Sequence, residues 1–221
     1  MNPLRKPAAL LVAVVAAGLF QPTTSAAAGT WHPAGQQVRT TATEAVGPGS
    51  ATQLQREIDE YSRRYPGGLQ VSDHALAYRG GGVVVVFPEP GQAYAPDGLG
   101  NGVRAAAEDN GLVTPMATAY RRGCPYSTVT NADWYCFYTN SNWRGRRLQF
   151  RDTCADFASN WGFNNQTSSW VNTHRLRRVY TYDSAGGALL WIESTGISES
   201  SWVGASKNDR LSYWRVYGGG C

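Results

Sequence analysis

The residues best suited to chemistry lie in two short polar segments that share one pattern. Asn164-Asn165-Gln166-Thr167-Ser168-Ser169-Trp170 recurs 44 residues later as Asn208-Asp209-Arg210-Leu211-Ser212-Tyr213-Trp214. Both segments are rich in amide, carboxylate and hydroxyl oxygens, the donors of which calcium takes about six to eight at roughly 2.3–2.6 Å. The same residue types also make ordinary turns, where their short side chains satisfy backbone groups. Composition leaves both readings open. Asn165-Gln166-Thr167 also fits a glycosylation acceptor, but Arg outnumbers Lys 18 to 2, a bias expected of a GC-rich bacterial genome.

Little else looks catalytic. The histidines are His32, His74 and His174, none with a second ligand at metalloprotease spacing, and there is no GxSxG elbow and no phosphate-binding loop. A triad can be assembled from distant residues, yet no constellation points to one, and the chain reads as a non-enzyme. A binding surface is the other candidate: Trp143, Trp161, Trp170 and Trp202, with Arg144, Arg146, Arg147 and Arg151 nearby. Against that stands the plain alternative of core tryptophans and a solvated arginine face.

The elements that must position the polar segments repeat as well. Upstream of the first lies an aromatic strand and turn, Phe137 to Gly145, then Arg147-Leu148-Gln149-Phe150; upstream of the second lie Val179 to Gly187 and then Ala188 to Ile192. Short strands are expected at Trp134–Tyr138, Arg147–Phe150, Arg177–Tyr182, Leu189–Ile192 and Tyr213–Tyr217, with no strong helical period between them. Two repeats of about four strands each predict two Greek keys that bury a common core, an all-β sandwich.

Composition changes near residue 120. Ten of 11 prolines lie at or before Pro115, and seven of eight tryptophans follow. Upstream, Thr52 and Gln55 offer a capping box, and Leu54, Ile58, Tyr61 and Tyr65 form one helical face stopped by Pro66. Leu69–Tyr78 and Val83–Phe87 flank Gly80-Gly81-Gly82 as an expected hairpin, whose Val-rich run must be covered, with that helix the nearest candidate. A short helix is possible at Val103–Glu108. The expected organisation is a leader over 1–28, a linker over 29–50, a small helix-plus-hairpin α+β module over 51–120 and the β-sandwich domain over 121–221.

The leader reading rests on Arg5 and Lys6, an apolar stretch from Ala8 to Phe20, and Ser25-Ala26-Ala27-Ala28 as a cleavage site. The apolar stretch is too short to span a bilayer, so a secreted, extracellular protein without a membrane span is expected. All four cysteines, Cys124, Cys136, Cys154 and Cys221, follow residue 120. In an oxidising compartment they read as two disulfides with three possible connectivities, and a zinc site is disfavoured without CxxC or a nearby His. Cys124–Cys136 with Cys154–Cys221 is preferred, because it ties down both ends of the domain.

The aromatic strand, the aromatic-x-Gly turn and the later Asn/Asp-Asn/Asp-x-x-Ser/Thr-Ser motif, twice over residues 124–221, resemble the paired Greek-key motifs of the βγ-crystallin superfamily. With four cysteines and a leader, the chain is most similar to the actinobacterial secreted peptidase-inhibitor family of metalloproteinase-inhibitor type. That resemblance implies a βγ-crystallin-like sandwich, inhibition of a secreted protease (a metalloprotease first) by a rigid inserted loop, and a double clamp for calcium. Carried over by position, the ligands are Asn165, the Gln166 carbonyl and Ser168 from one loop, and Asp209, the Arg210 carbonyl and Ser212 from the other. Only Asp209 among them is charged, so a calcium site would be weak and structural. The second motif departs from the pattern at Tyr213, where a serine that braces the fold is expected. The alternative is a non-enzymatic extracellular module for cell wall, carbohydrate or a membrane surface. The balance of ten basic to seven acidic residues over 124–221 is too slight to imply a nucleic-acid partner, and the pattern does not specify an oligomeric state.

Overall fold

The computed structural model describes residues 48–98, 118–127 and 134–220. The expected leader over 1–28, the short helix at Val103–Glu108 and Cys221 lie outside them. The first described element is helix α1 (Pro48–Arg64), which presents Leu54, Ile58 and Tyr61 to the core. Proline suits a first helical position, where its missing N–H would be unpaired anyway. The helix therefore begins before the expected capping box. Thr52 lies one turn inside, and its hydroxyl donates to the Gly49 carbonyl at 2.9 Å.

The expected two-strand hairpin is three strands: β1 (Leu69–Ser72), β2 (Ala75–Tyr78) and β3 (Val83–Val86). Asp73 and His74 make a turn inside the stretch that looks continuous in sequence, and the glycines connect β2 to β3. Then follow β4 (Thr118–Arg121), β5 (Cys124–Ser127), β6 (Tyr135–Asn140), β7 (Arg144–Phe150), β8 (Asp156–Phe157), β9 (Ser169–Asn172), β10 (Val179–Tyr182), β11 (Leu189–Glu193), β12 (Ser198–Ser200) and β13 (Tyr213–Val216).

They form a seven-stranded sheet in the order β1-β2-β3-β7-β6-β9-β12, a four-stranded sheet β11-β10-β13-β8 and the β4-β5 ribbon. The first repeat supplies β6 to β9 and the second β10 to β13. Each sends its third strand to the other sheet: β8 pairs with β13, and β12 pairs with β9. That exchange makes the two keys one body.

The helix and three-stranded segment do not form a core of their own. Strand β3 pairs antiparallel with β7, Val83 opposite Phe150 through Val86 opposite Arg147, so the seven-stranded sheet runs across the expected 120/121 boundary. The run of valines explains why. Strand side chains alternate between faces; Val83 and Val85 join Tyr135, Phe137, Leu148, Phe150, Trp191 and Trp214 between the sheets, under α1. Val84 and Val86 join Cys124, Trp134, Cys136 and Val171 on the opposite face. An all-apolar strand needs cover on both sides, and only the centre of a shared sheet gives it.

The Cys124–Cys136 disulfide is present and ties β5 to β6. Cys154 is also disulfide-bonded. On the outer face Arg147 is fully buried; its guanidinium donates to Gln149 Oε1 at 3.2 Å and to the Pro96 carbonyl at 2.7 Å. Burial pushes its pKa down, while the nearby Tyr138 and Asp97 act the other way. No helix among the described residues is long and apolar enough to cross a membrane.

Candidate functional site

The two polar segments lie side by side, each just before the last strand of its own key. The main chain dictates the matching shapes. Asn165 and Asp209, at the same motif position, both take left-handed backbone, with φ of 56° and 54°. Asn and Asp tolerate that region better than other non-glycine residues, so the second motif position has a conformational reason beside any ligand role.

The loops then bind each other reciprocally. Asn165 N donates to the Leu211 carbonyl at 2.9 Å, and Asp209 N donates to the Thr167 carbonyl at 3.2 Å. The side chains cross in the same sense. Ser212 Oγ donates to Asn165 Oδ1 at 3.1 Å, and Ser168 Oγ lies 3.4 Å from Asp209 Oδ1. Ser168 N and Ser212 N bond the carbonyls of the equivalent residues Tyr138 and Tyr182 at 2.9 and 3.0 Å. The result is two amide- or carboxylate-with-hydroxyl pairs, each drawn from both keys.

The other two sequence candidates, Gln166 and Arg210, were named for their carbonyls, and their side chains are engaged elsewhere. Arg146 donates to Gln166 Oε1 at 2.6 Å and lies 5.2 Å over the Tyr61 ring, which connects α1 to the first loop. Arg210 donates to the Ser206 carbonyl and pairs with Asp183 at 3.1 Å. The second carboxylate oxygen of Asp209 accepts from the Asn208 amide at 2.7 Å. Among the described residues no three His, Cys, Asp or Glu side chains gather as a metal cluster.

The bracing serine and its replacement are both accounted for. Ser169 Oγ donates to the Asn140 carbonyl at 2.7 Å and accepts from Trp143 N at 3.1 Å, fixing the turn between β6 and β7. In the second key Tyr213 packs its ring between Tyr182 and Phe157, with centroids at 6.0 and 5.2 Å. The ring thus joins β13 to its two neighbours β10 and β8 in place of a hydroxyl. This is the arrangement of two interlocked Greek keys that the repeat predicts.

Solved structures similar to the chain include a βγ-crystallin domain from Clostridium beijerinckii carrying a T41S substitution, 21% identical, covering 38% of this chain and 99% of that one with a TM-score of 0.32. A βγ-crystallin from Ciona intestinalis is 20% identical over 37% of this chain and 96% of its own, with a TM-score of 0.30. A structure described under the evolution of the eye lens βγ-crystallin domain fold is 17% identical over 41% and 90%, with a TM-score of 0.34. No protein-family model and no curated protein matches the chain.

Of the four tryptophans weighed between a binding surface and the core, Trp161 and Trp170 are core residues, whereas Trp202 is exposed and Trp143 half-buried. Arg147 is likewise interior. His174 is a turn cap whose Nδ1 accepts from the backbone N–H of Leu176 and Arg177, both at 3.1 Å. His74 faces Glu89 at 3.3 Å, and His32 lies outside the described residues. The sequence reading missed Tyr94 and Arg122, which meet Trp143 and Arg144 in one cleft. Tyr94 is an isolated aromatic in a Pro- and Gly-rich stretch, and no spacing rule relates it to residue 143.

Proposed function

We propose that this is a secreted, non-enzymatic βγ-crystallin-type protein whose paired loops hold calcium weakly and structurally. The observation that carries the reading is the reciprocal seating of Asn165 with Ser212 and of Asp209 with Ser168. Each pair sets two hard oxygens from different keys within about one ion's coordination reach, and the donors are of the kind calcium prefers. The Gln166 and Arg210 carbonyls and solvent would supply further oxygens. A bound ion would supply charge neutralisation at Asp209 and a cross-link between the two keys. With one carboxylate, affinity falls in the roughly 10⁻⁴–10⁻³ M range of extracellular modules. Export is supported by the leader-like residues 1–28 and by the Cys124–Cys136 disulfide. Calorimetric titration of the chain lacking its leader should show saturable calcium uptake that Asp209→Asn weakens. Absence of uptake by the folded protein overturns the site.

The more specific reading is inhibition of an extracellular protease, a metalloprotease first. Its support is the resemblance of residues 124–221 to secreted peptidase inhibitors, together with a frame stiffened by disulfides and by the extension of one sheet with three strands. A preorganised frame loses little entropy when it seats a loop in a cleft. Stoichiometric, saturable inhibition of a thermolysin-like or subtilisin-like protease is the expected result. Digestion of the folded protein by both overturns it.

A further inference from the structure

A second site lies where a strap of chain crosses the start of β7. We propose that this cleft, lined by Tyr94, Asp97, Arg122, Asn142, Trp143 and Arg144, binds a carboxylate-bearing oligosaccharide.

The cleft is about 520 Å³, within the roughly 300–1,000 Å³ of small-molecule sites. Its walls are fixed from below. The strap is pinned by Gly145 N on the Ala93 carbonyl at 2.8 Å, by Gly98 N on the Gly123 carbonyl at 3.0 Å, and by buried Arg147 on the Pro96 carbonyl. Opposite, the β4–β5 turn that carries Arg122 is held by the Cys124–Cys136 bridge and by the Tyr138 hydroxyl, which donates to the Arg122 carbonyl at 2.9 Å.

Two guanidinium groups stand in this cleft, each laid on an aromatic face. Arg122 lies 4.0 Å over the Trp143 ring, and Arg144 lies 5.7 Å over the Tyr94 ring with its Nε 3.4 Å from the Tyr94 hydroxyl. Stacking holds a guanidinium in place without using up its fork of N–H donors, the geometry that matches a carboxylate. Glu199 lies 3.4 Å from Arg122 but pairs more closely with Arg121, at 2.8 Å. Among the described residues Arg144 has no carboxylate within ion-pair distance. Trp143 takes a φ of 59°, left-handed backbone that is strained for a bulky side chain, and such conformations concentrate at functional sites. Trp143 is locked there by Ser169 Oγ and by its own Nε1 on the Trp170 carbonyl at 3.3 Å.

The ligand class follows from what surrounds the arginines. Asp97 and Asn142 are both exposed in the same cleft. An acid in the same cleft repels a densely charged polyanion, but it accepts from hydroxyl groups. Tyr94, 54% exposed, offers ring surface and a hydroxyl. A sugar chain that alternates carboxylates with hydroxyls satisfies all these groups together.

Trigalacturonate is the probe, titrated calorimetrically in EDTA so that calcium at the paired loops plays no part. Its methyl ester and tetraglutamate are the comparisons. The expected result is saturable binding of trigalacturonate alone, weakened about tenfold or more by Arg144→Gln and by Arg122→Gln, and weakened by added salt. Both arginines are exposed, so the variants should melt as the parent does. No binding of trigalacturonate, equal binding of the ester, or unchanged affinity in the folded variants overturns the site. Tighter binding of tetraglutamate would reassign it to acidic peptides.

Discussion

Replacing Ile58 by Ala tests whether the N-terminal helix and strands belong to the same cooperative unit as the two Greek keys. Ile58 is 1% exposed and belongs to the apolar cluster that also holds Phe87, Trp161 and Trp214. The substitution removes three buried carbons, about 2.4 kcal/mol at about 0.8 per carbon, and the cavity brings the loss to roughly 3–4 kcal/mol. With a urea m value of about 2 kcal/mol/M, the midpoint should fall by roughly 1.5–2 M. Tryptophan fluorescence is the assay, because seven of the eight tryptophans lie at or beyond Trp134, far from position 58 in sequence. The transition should stay single, with m unchanged and its midpoint lowered. A tryptophan transition that does not move, or a separate earlier step seen by circular dichroism, would show that the helix folds on its own and refute the shared core.

Two further substitutions probe the frame. Glu193 is fully buried on β11, with Trp191 Nε1 3.4 Å from one oxygen, and burial raises its pKa well above the ordinary value. A raised folded-state pKa means the native state holds the proton more tightly than the unfolded chain does. Its contribution to stability is therefore complete below the ordinary glutamate pKa and is lost as pH rises. Glu193→Gln should accordingly raise the melting temperature at alkaline pH and flatten its pH dependence; a variant as pH-sensitive as the parent would contradict this. Replacing Cys124 and Cys136 by Ala opens a loop with a sequence separation of 12, and chain entropy predicts a loss of about 3 kcal/mol in chemical denaturation.

The two keys were readable because repetition is a property of sequence. Aromatic strands recurring before matched polar loops predicted β6, β7, β10, β11 and β13 within a few residues, and the same alignment matched Asn165 with Asp209 and Ser168 with Ser212; that Asn165 meets Ser212 and Asp209 meets Ser168 is decided by the fold. The short strands β8 and β12, two and three residues long, carry no periodic signal. Their exchange between sheets is decided by pairing across the fold. The valine run of β3 asked for cover and the nearby helix was its candidate, which does share the cluster of Val83 and Val85; that the opposite face is also covered, and that β7 about 60 residues further along is the sheet partner, could not be read from it. The Tyr94 cleft was illegible for the same reason: it joins a proline-rich strap, a ribbon turn and a hairpin through a buried arginine whose neighbours are set only by the tertiary structure. Tyr213 is the instructive departure. Where the motif expects a serine, the structure has a ring packed between Tyr182 and Phe157, a contact between strands that no motif spacing announces.

The central claim, that the paired loops form an ion site joining the two keys, is tested most directly by melting the protein with and without calcium. At about 10 mM calcium and an affinity near 10⁻⁴ M, one site adds about 2.7 kcal/mol, or roughly 5–10 °C for a domain of this size. Asp209→Asn keeps the left-handed backbone and removes only the charge, and should abolish most of that rise. A parent that melts at the same temperature in calcium and in EDTA, or a variant that keeps the full rise, would contradict the account.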